Sequence, residues 1–384
     1  MKLRVPDYYQ EFKCLADRCK DSCCIGWEID IDEETLDYYK SVPGEFGERL
    51  KREIREGEDT SFALHNKRCA FLNEKNLCDI CIELGETSLC EICLEYPRFT
   101  LEYGNTREKC LGMSCEEAGR LMFDKEEPVT FVETIMEEHF GWLEDEGEDI
   151  EDEYEEEEMD KEHTACLKRA RDCTIRILQD RTHLIEERIY RCLCFVEAIQ
   201  DKMNQRAFLE FDDVMDEYQK EYVWKKEKLT EEECFGLYEK RMEFYRTLEL
   251  LDEEWEQVCN RMDSLYTDAG EYARIQNHFQ ANYLQKDRDY ENLLVYFVYR
   301  YGMKAVFDYN YLEKVKFAVV SYLVIRDMDG ERFWQEKSFG LEERIDVSRI
   351  YSKEVEHSED NLQLIKEALT FEEIFQNSEL IRSL

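Results

Sequence analysis

The sequence lacks any apolar run long enough to cross a lipid bilayer. Its longest apolar runs, such as 293–299 and 317–325, are far shorter than the ~18–20 residues that a membrane helix requires. The first residues, MKLRVPDYYQEFKC, show no apolar segment behind the basic positions, so no secretory signal is predicted. We therefore expect a cytoplasmic protein that does not enter the membrane, with the longest apolar runs buried in its core.

Positive charge is also in short supply. The chain carries 92 acidic and 51 basic residues, for a formal net charge of −41. A field of this sign repels phosphate backbones and anionic lipids, so a nucleic-acid partner is not expected. A lysine-bearing protein would be attracted, although the same charge also serves ordinary solubility.

Proline is absent from residue 165 to the end of the chain. Apolar residues there recur at helical spacing, in one stripe of Ile185, Ile189, Leu193 and Val196 and another of Leu251, Trp255, Val258, Met262 and Leu265. This pattern predicts an all-helical C-terminal domain over 165–384. The acidic run 144–162 has no apolar period, which predicts a solvated linker that we place at 126–164.

Cysteine is concentrated in the first third, where 11 of the 17 cysteines precede residue 116. Disulfides are not expected in the cytosol, and short spacings let two thiolates reach one metal without a large loop-closure cost. We therefore predict a Cys-rich metal-binding N-terminal domain of short helices and loops over 1–125, in a protein that is mainly α. Its cysteines form two sequence clusters, Cys14, Cys19, Cys23 and Cys24, then Cys69, Cys78, Cys81, Cys90, Cys93, Cys110 and Cys115.

The remaining cysteines are predicted to be buried core residues, because a lone cysteine among apolar stripes behaves as a small hydrophobe. They are Cys166, Cys173, Cys192, Cys194, Cys234 and Cys259.

The metal itself is left open by the residues. Thiolates with one nearby histidine, His65, suit either zinc or an iron–sulfur cluster. The Cys-x3-Cys-x2-Cys arrangement of radical enzymes fails by one residue, since Gly26 stands where a third cysteine would follow Cys19 and Cys23. No G-x-G occurs anywhere, so a Rossmann-type nucleotide fingerprint is missing as well.

Several segments resemble the flagellin lysine-N-methylase family in both sequence and order. They are FKCLADRCKDSCCIGWEIDID, RCAFLNEKNLCDICIELGE, LCEICLEYPRFTLEYGN and MSCEEAGRLMF, followed near the end by NLLVYFVYRYGMKAVFD and IYSKEVEHSEDNL. The resemblance implies transfer of methyl groups from S-adenosylmethionine to lysine ε-amines of flagellin, by an enzyme that carries a [4Fe–4S] cluster.

The resemblance also assigns metal ligands. The family's cysteines fall on Cys14, Cys19, Cys23, Cys24, Cys69, Cys78, Cys93 and Cys115, which leaves Cys81, Cys90 and Cys110 as extras. The alternative function is a non-catalytic iron–sulfur or zinc protein that carries metal or electrons and docks a partner. The C-terminal motifs favour the enzyme, because a simple metal carrier does not need so long a helical appendage.

Five further residues are candidates for a site. Arg98 is expected to bind a cofactor carboxylate, or else to form an interdomain salt bridge, and Tyr96 and Trp27 are grouped with it as cofactor-binding candidates. Trp27 stands three residues after Cys24 and is expected to pack over the metal. Arg98, His357 and Glu354 are catalytic candidates.

The catalytic candidates follow from helical spacing. Glu354, His357 and Asn361 would share one face of a single helix, which places a general base there or, as the alternative, an ordinary interhelical contact. The aromatic run Tyr296, Tyr299 and Tyr301 around Arg300 predicts either a pocket lining or core.

Overall fold

The computed structural model describes residues 1–57, 60–135, 161–218, 224–251 and 253–384. Most of the predicted linker, including nearly all of its acidic run, lies outside these ranges. No helix in the described ranges is long and apolar enough to span a membrane.

Strands are confined to the N-terminal third of the described chain. They are β1 (Lys2–Pro6), β2 (Ile54–Arg55), β3 (Ser61–Phe62), β4 (Leu64–His65), β5 (Arg68–Cys69), β6 (Arg98–Tyr103), β7 (Thr106–Leu111) and β8 (Phe131–Ile135). β2 pairs with β3 and β4 with β5 in small antiparallel ribbons, while a four-stranded sheet has the order β6-β7-β1-β8.

The four-stranded sheet brings the first residues of the chain next to segments more than 100 residues later. β1 runs parallel to β7, with Leu3 opposite Arg107, and antiparallel to β8, with Leu3 opposite Thr134. β6 and β7 form a hairpin around a turn at Gly104, whose positive φ of 52° suits glycine. β8 therefore belongs to this sheet, although its residues lie in the range assigned to the linker.

Helices dominate the rest of the described chain. They are α1 (Glu33–Ser41), α2 (Gly44–Glu53), α3 (Asp79–Leu84), α4 (Glu91–Glu95), α5 (Glu116–Phe123), α6 (Lys161–Leu178), α7 (Ile185–Asn204), α8 (Phe211–Tyr218), α9 (Glu231–Tyr245), α10 (Glu253–Leu265), α11 (Ala269–Asn282), α12 (Lys286–Gly302), α13 (Ala305–Asp308), α14 (Tyr311–Glu336), α15 (Leu341–Glu356), α16 (Glu359–Phe371) and α17 (Asn377–Arg382). The prediction of a mainly α protein is confirmed.

The helical region, residues 161–384 where described, is built around α12 and α14. α12 is buried from Asp289 to its end, and α14 is buried continuously over 313–331. Helices apolar on every side occupy the centre of a domain, which explains why both long apolar runs are found here. The charges on α14 are paired inside this core, as in the Glu331–Arg261 ion pair at 2.8 Å.

One continuous hydrophobic core links this helical region to the four-stranded sheet. Tyr8, Tyr103, Leu111 and Met113 from the sheet and its flanks pack in the same cluster as the residues of α6, α7, α12 and α14. The sheet is therefore part of the helical body.

A second and smaller hydrophobic core lies within the Cys-rich region, residues 1–125 where described. Its buried members are Ile29, Ile31, Tyr39, Val42, Leu50, Phe62, Cys69, Phe71, Ile80 and Cys90. They come from α1, α2, α3 and the small ribbons. The Cys-rich region thus has its own hydrophobic core and adds strands to the predicted helices and loops, while metal binding by this region stays a prediction.

The predicted helical stripes are found in the structure. Ile185, Ile189, Leu193 and Val196 are fully buried on α7, and Trp255, Val258 and Met262 are buried on α10. Leu251 precedes α10 and lies outside that helix. The helical-region cysteines Cys166, Cys173, Cys192 and Cys259 are buried as predicted, while Cys194 and Cys234 are half-buried.

Candidate functional site

The first cysteine loop is held against the small ribbon β4–β5 by backbone hydrogen bonds. The Cys69 N–H donates to the Cys24 carbonyl at 2.9 Å, and the Gly26 N–H donates to the Lys67 carbonyl at 2.8 Å. Gly26 has a φ of 98°, a conformation that favours glycine. The residue that breaks the radical-enzyme spacing is therefore needed by the backbone turn.

Nine of the eleven N-terminal cysteines fall into two groups. The inner group packs in or against the small Cys-rich core and consists of Cys24, Cys69, Cys78, Cys90 and Cys93. The seam group consists of Cys14, Cys19, Cys23 and Cys115, and it lies where the first loop meets α5. Cys115 is the N-terminal cap residue of α5 and packs against the large helical core.

Neighbouring thiols influence one another's ionisation both between the two groups and within them. The pKa of Cys23 is raised by its hydrogen bond to Cys24, by burial and by the charges of Cys24, Cys14 and Cys115. The same hydrogen bond lowers the pKa of Cys24. Cys23 therefore keeps its proton and Cys24 is the readier thiolate of this adjacent pair.

The inner group shows a second pair of this kind. A hydrogen bond from Cys93 lowers the pKa of Cys90 and raises that of Cys93. Burial raises the pKa of Cys69 to about 12 and that of Cys78 to about 11. Buried neutral thiols with raised pKa values become strong metal ligands only when a cation replaces their protons.

The arrangement of the possible metal donors bears on which metal they could bind. In the described ranges, no three histidine, cysteine, aspartate or glutamate side chains converge as a single ion would need. A zinc ion requires such convergence, with Zn–S bonds of about 2.3 Å, whereas an iron–sulfur cluster is larger and its cysteine ligands stand farther apart. The thiol donors of each group suit zinc or an iron–sulfur cluster by their type, and the metal stays a prediction.

Three rings from distant parts of the sequence meet beside the seam group. Trp27, Tyr96 and His357, the aromatic trio, have ring centroids 5.6–6.2 Å apart. The Trp27 indole N–H donates to the Cys23 carbonyl at 2.7 Å, which fixes the trio to the cysteine loop. The structure thus brings together three residues that the sequence singled out separately.

Ser114 connects two members of the trio. Its hydroxyl lies 2.8 Å from His357 Nε2 and 3.2 Å from the Tyr96 hydroxyl. It immediately precedes Cys115, so one backbone segment supplies both a seam-group thiol and the contact to His357. Ser114 is buried, and a side chain of this size in such a place fixes ring orientations.

Burial holds His357 in its neutral form. Desolvation, with smaller contributions from Arg300 and Lys353, lowers the pKa of His357 to about 4. A base with so low a pKa accepts protons weakly at neutral pH. Its environment favours a neutral imidazole that orients neighbours and does not repel a cation.

A buried charge network lies next to the aromatic trio. Arg300 forms an ion pair with Glu356, the residue before His357, and Glu356 also accepts from the hydroxyls of Tyr296 at 3.0 Å and Tyr301 at 2.8 Å. The Arg300 guanidinium lies 3.3 Å from the centroid of the Phe99 ring. Tyr296 and Tyr301 are thus core residues that satisfy a buried carboxylate.

The cysteine loop is tied to α15 by a second set of charges. Asp21, between Cys19 and Cys23, accepts from Arg349 at 2.5 Å and from Lys353 at 3.0 Å. The Lys20 N–H donates to Glu116 at 2.9 Å at the start of α5. These contacts place the seam group against α5 and α15.

Two expectations about the C-terminal motif are corrected by the structure. The single helix expected to carry Glu354, His357 and Asn361 is wrong, because α15 ends at Glu356, His357 is its C-terminal cap residue and α16 begins at Glu359. Glu354 is fully buried and accepts from the Leu251 N–H at 3.2 Å, while Asn361 bonds the backbone of Glu249. Both residues hold the loop before α10 instead of facing the trio.

Arg98 lies at the start of β6, outside the trio's contacts. Its guanidinium is 5.1 Å from the Phe12 ring centroid and donates to the Leu94 carbonyl at 3.4 Å. The buried guanidinium beside His357 belongs to Arg300. A cofactor-binding role for Arg98 stays a prediction.

Sequence reasoning missed Ser114, Asp21 and Glu356. Ser114 and Asp21 each neighbour cysteines, so their positions were a signal, but serine and aspartate in loops are common and carry no distinctive pattern. Glu356 precedes His357 directly in the sequence. The assumed helix instead favoured Glu354, which lies three residues before His357.

These features define a class of protein in which a thiol-rich N-terminal region is fastened to a helical body through a site of aromatic and neutral polar groups. The chain matches the family described as FliB lysine N-methylase C-terminal domain over residues 171–382. This match covers more than half of the chain, which therefore belongs to that family.

Curated relatives extend the similarity at low identity. The chain is 25% identical over 145 residues to proteins named lysine-N-methylase from Salmonella typhimurium and Salmonella choleraesuis, which is 35% of this chain and 36% of theirs. It is 25% identical over 120 residues to the flagellar biosynthetic protein FliU of Salmonella muenchen, 29% of this chain and 71% of that protein. The chain thus spans about a third of the length of the lysine-N-methylases that it matches. No solved structure matches it.

Proposed function

We propose that this protein methylates lysine ε-amines of flagellin, with S-adenosylmethionine as methyl donor and an iron–sulfur cluster held by the N-terminal cysteines. The observation that carries the proposal is the meeting of Trp27, Tyr96 and His357 beside the seam group, in a chain of the lysine N-methylase family. The names of the curated relatives support the lysine and the flagellar substrate.

The trio suits a cationic ligand. When bound, S-adenosylmethionine supplies a methyl group on a positively charged sulfonium, and the faces of Trp27 and Tyr96 attract such a cation. The neutral His357 adds no repulsion, and the nearby cations are paired, Arg300 with Glu356 and Lys353 with Asp21.

Methyl transfer requires a neutral lysine amine aligned with the methyl carbon. The nitrogen lone pair forms the new C–N bond as the C–S bond breaks, and one proton leaves the amine. The low pKa of His357 argues for loss of this proton to water, with His357 and Ser114 keeping the two rings in place. The net charge of −41 favours approach of a lysine-bearing protein.

The inner and seam groups would hold the iron–sulfur chemistry. A bound cluster would supply charge and redox capacity, and would stabilise a region whose own hydrophobic core is small.

The test is mass spectrometry of flagellin incubated with S-adenosylmethionine and the full chain purified without oxygen. We expect lysine mass shifts of one or more methyl groups, reduced about ten- to a hundredfold by Trp27→Ala through loss of a cation–π contact of about 2 kcal/mol in a desolvated site. The matched control is Trp334→Ala, an aromatic change on the far helix α14. Unmethylated flagellin in the presence of cluster-replete protein would favour the metal- or electron-carrying alternative.

A further inference from the structure

A lysine of this chain lies beside the aromatic trio. Lys353 is on α15, four residues before His357, and its side chain is only 17% exposed. After burial and the charge of Arg300, the charge of Lys353 lowers the pKa of the His357 imidazole. A lysine amine, the group on which the proposed reaction acts, is therefore already present in the candidate site.

The end of this side chain is held on the cysteine loop. Lys353 Nζ donates to Asp21 Oδ2 at 3.0 Å. A Cβ placed on Gly26 would lie 3.8 Å from the same nitrogen, so the amine packs over a position that has no side chain. Gly26 directly precedes Trp27 in the sequence. The Lys353 amine is thus fixed against the backbone segment that carries one ring of the trio.

Asp21 borders the trio as well. Burial raises the pKa of the Tyr96 hydroxyl, and the charge of Asp21 adds to this effect. Asp21 also accepts from Arg349, which has further carboxylates within reach, those of Glu254 and Asp346, each at 2.9 Å. A carboxylate beside aromatic faces suits an alkylammonium group both before and after methylation.

Two other lysines near the cysteine loop are placed differently. Lys20 pairs with Glu342 at 2.8 Å and Lys67 pairs with Glu253 at 2.7 Å, and about two-thirds of each lysine side chain is exposed. Surface pairs of this kind hold a lysine loosely. Lys353 differs from both because it is largely buried and approaches the loop from α15.

We propose that the protein methylates its own Lys353, within the same chain. The inference rests on the proposed function, since it uses the same methyl donor. The Lys353 ammonium releases one proton to water, and the nitrogen lone pair then forms a bond to the methyl carbon as the C–S bond breaks. The donor leaves with a neutral thioether sulfur, and the product is a methylammonium with the same charge as the original lysine.

Asp21 limits the extent of this modification. A monomethylated lysine keeps two N–H donors and a dimethylated lysine keeps one, so both can still donate to Asp21. A trimethylated lysine has no N–H and would leave the carboxylate without this hydrogen bond. We therefore expect one or two methyl groups on Lys353 and no third.

The experiment incubates the full chain, purified without oxygen, with S-adenosylmethionine that carries a deuterated methyl group. Peptide mass spectrometry locates the label. We expect it on Lys353, at about tenfold or more above the exposed Lys51. The matched control Lys353→Arg keeps a cationic donor for Asp21 but lacks the amine, so it should lose the label at this position without gaining it at Lys51.

Dilution of the protein tests whether the transfer occurs within one chain. The label per chain should be unchanged over about a tenfold dilution, because an amine held in the site reacts at a rate independent of concentration. A rate per chain that rises with protein concentration would overturn the inference, since the transfer would then occur between copies. Unlabelled methyl groups already on Lys353 of the isolated protein support the inference if the Trp27→Ala variant lacks them, and overturn it if that variant keeps them.

A parallel reaction that contains flagellin separates this inference from the proposed function. Labelled flagellin with unmethylated Lys353 would overturn self-methylation and leave the proposed function standing. Methylated Lys353 with unlabelled flagellin would support self-methylation and remove flagellin as the substrate. Absence of methyl groups from both would overturn both.

Discussion

The Cys-rich region and the helical region use the same residue in opposite ways. In the helical region, Cys259 packs in the large hydrophobic core, and burial raises the pKa of its thiol to about 12 with no contribution from another thiol. In the Cys-rich region, thiols neighbour other thiols around a much smaller core. The number of neighbouring thiols, more than burial, separates candidate ligands such as Cys69 from packing residues such as Cys259.

The two regions also differ in how they satisfy buried charge. The helical region places buried ion pairs in its core, such as Arg344 with Asp329 and Arg241 with Asp327. The small core of the Cys-rich region is instead flanked by surface ion pairs, such as Lys40 with Glu56, both well exposed. We therefore expect the helical region to be stable by itself and the Cys-rich region to depend on metal.

Removal of metal should have the largest effect. Structural metal sites in small domains contribute on the order of 10 kcal/mol to folding, so chelation should open the Cys-rich region while the helical region stays closed. Hydrogen exchange followed by mass spectrometry should show rates rising by orders of magnitude in α1–α4 and unchanged in α12 and α14. Equal acceleration in both regions would mean that they share one cooperative unit.

Arg344→Ala should cause the largest loss among single substitutions in the helical region. Arg344 and its partner Asp329 have fully buried side chains, and removal of one partner leaves a buried charge at a cost of about 3–5 kcal/mol. Urea denaturation measures this loss. The control Lys51→Ala removes an exposed pair with Glu48 and should cost less than about 0.5 kcal/mol.

Acidification should destabilise the junction through His357. Its pKa falls from 6.5 in the unfolded chain to about 4 in the folded protein, so the unfolded state binds the proton first. The stability from neutral His357 is present above pH 6.5 and is lost as the pH falls towards 4, by on the order of 3 kcal/mol. His357→Gln should lack this difference between pH 7 and 4. An NMR titration that places the imidazole pKa near 6.5 would contradict it.

The smallest losses of folding stability are expected from removing exposed ion pairs between the Cys-rich region and the helical region. Lys67 and Glu253 are 2.7 Å apart with side chains about two-thirds exposed, so Lys67→Ala should cost less than about 1 kcal/mol. Asp21→Asn should cost more, about 1.5–3 kcal/mol, because Asp21 bonds the buried Arg349. Thermal unfolding of the two variants ranks these contacts, and the reverse order would show that the Asp21 link is not what joins the regions.

Much of the helical region could be predicted from the sequence. The helical spacing of apolar residues and the absence of proline both indicate core helices. The stripe on α7 and the buried runs in α12 and α14 are examples. The four-stranded sheet could not be predicted in this way. β1 pairs with residues more than 100 positions away, and short strands show little alternation of apolar and polar residues.

The site was predictable only in part. Trp27, Tyr96 and His357 were each selected, but their meeting depends on long-range packing that local patterns do not encode. Glu354 was misplaced because a helix break at His357 leaves no proline or glycine as a signal. The roles predicted for Arg98, His357 and the cysteines stay predictions.

The most direct measurement is the visible absorption spectrum of the full chain purified without oxygen, together with its metal content. The account predicts a brown protein, because thiolate-to-iron charge transfer absorbs visible light, and it predicts bleaching by reductant or air. A colourless protein with stoichiometric zinc would contradict the iron–sulfur assignment on which the comparison of the two regions depends.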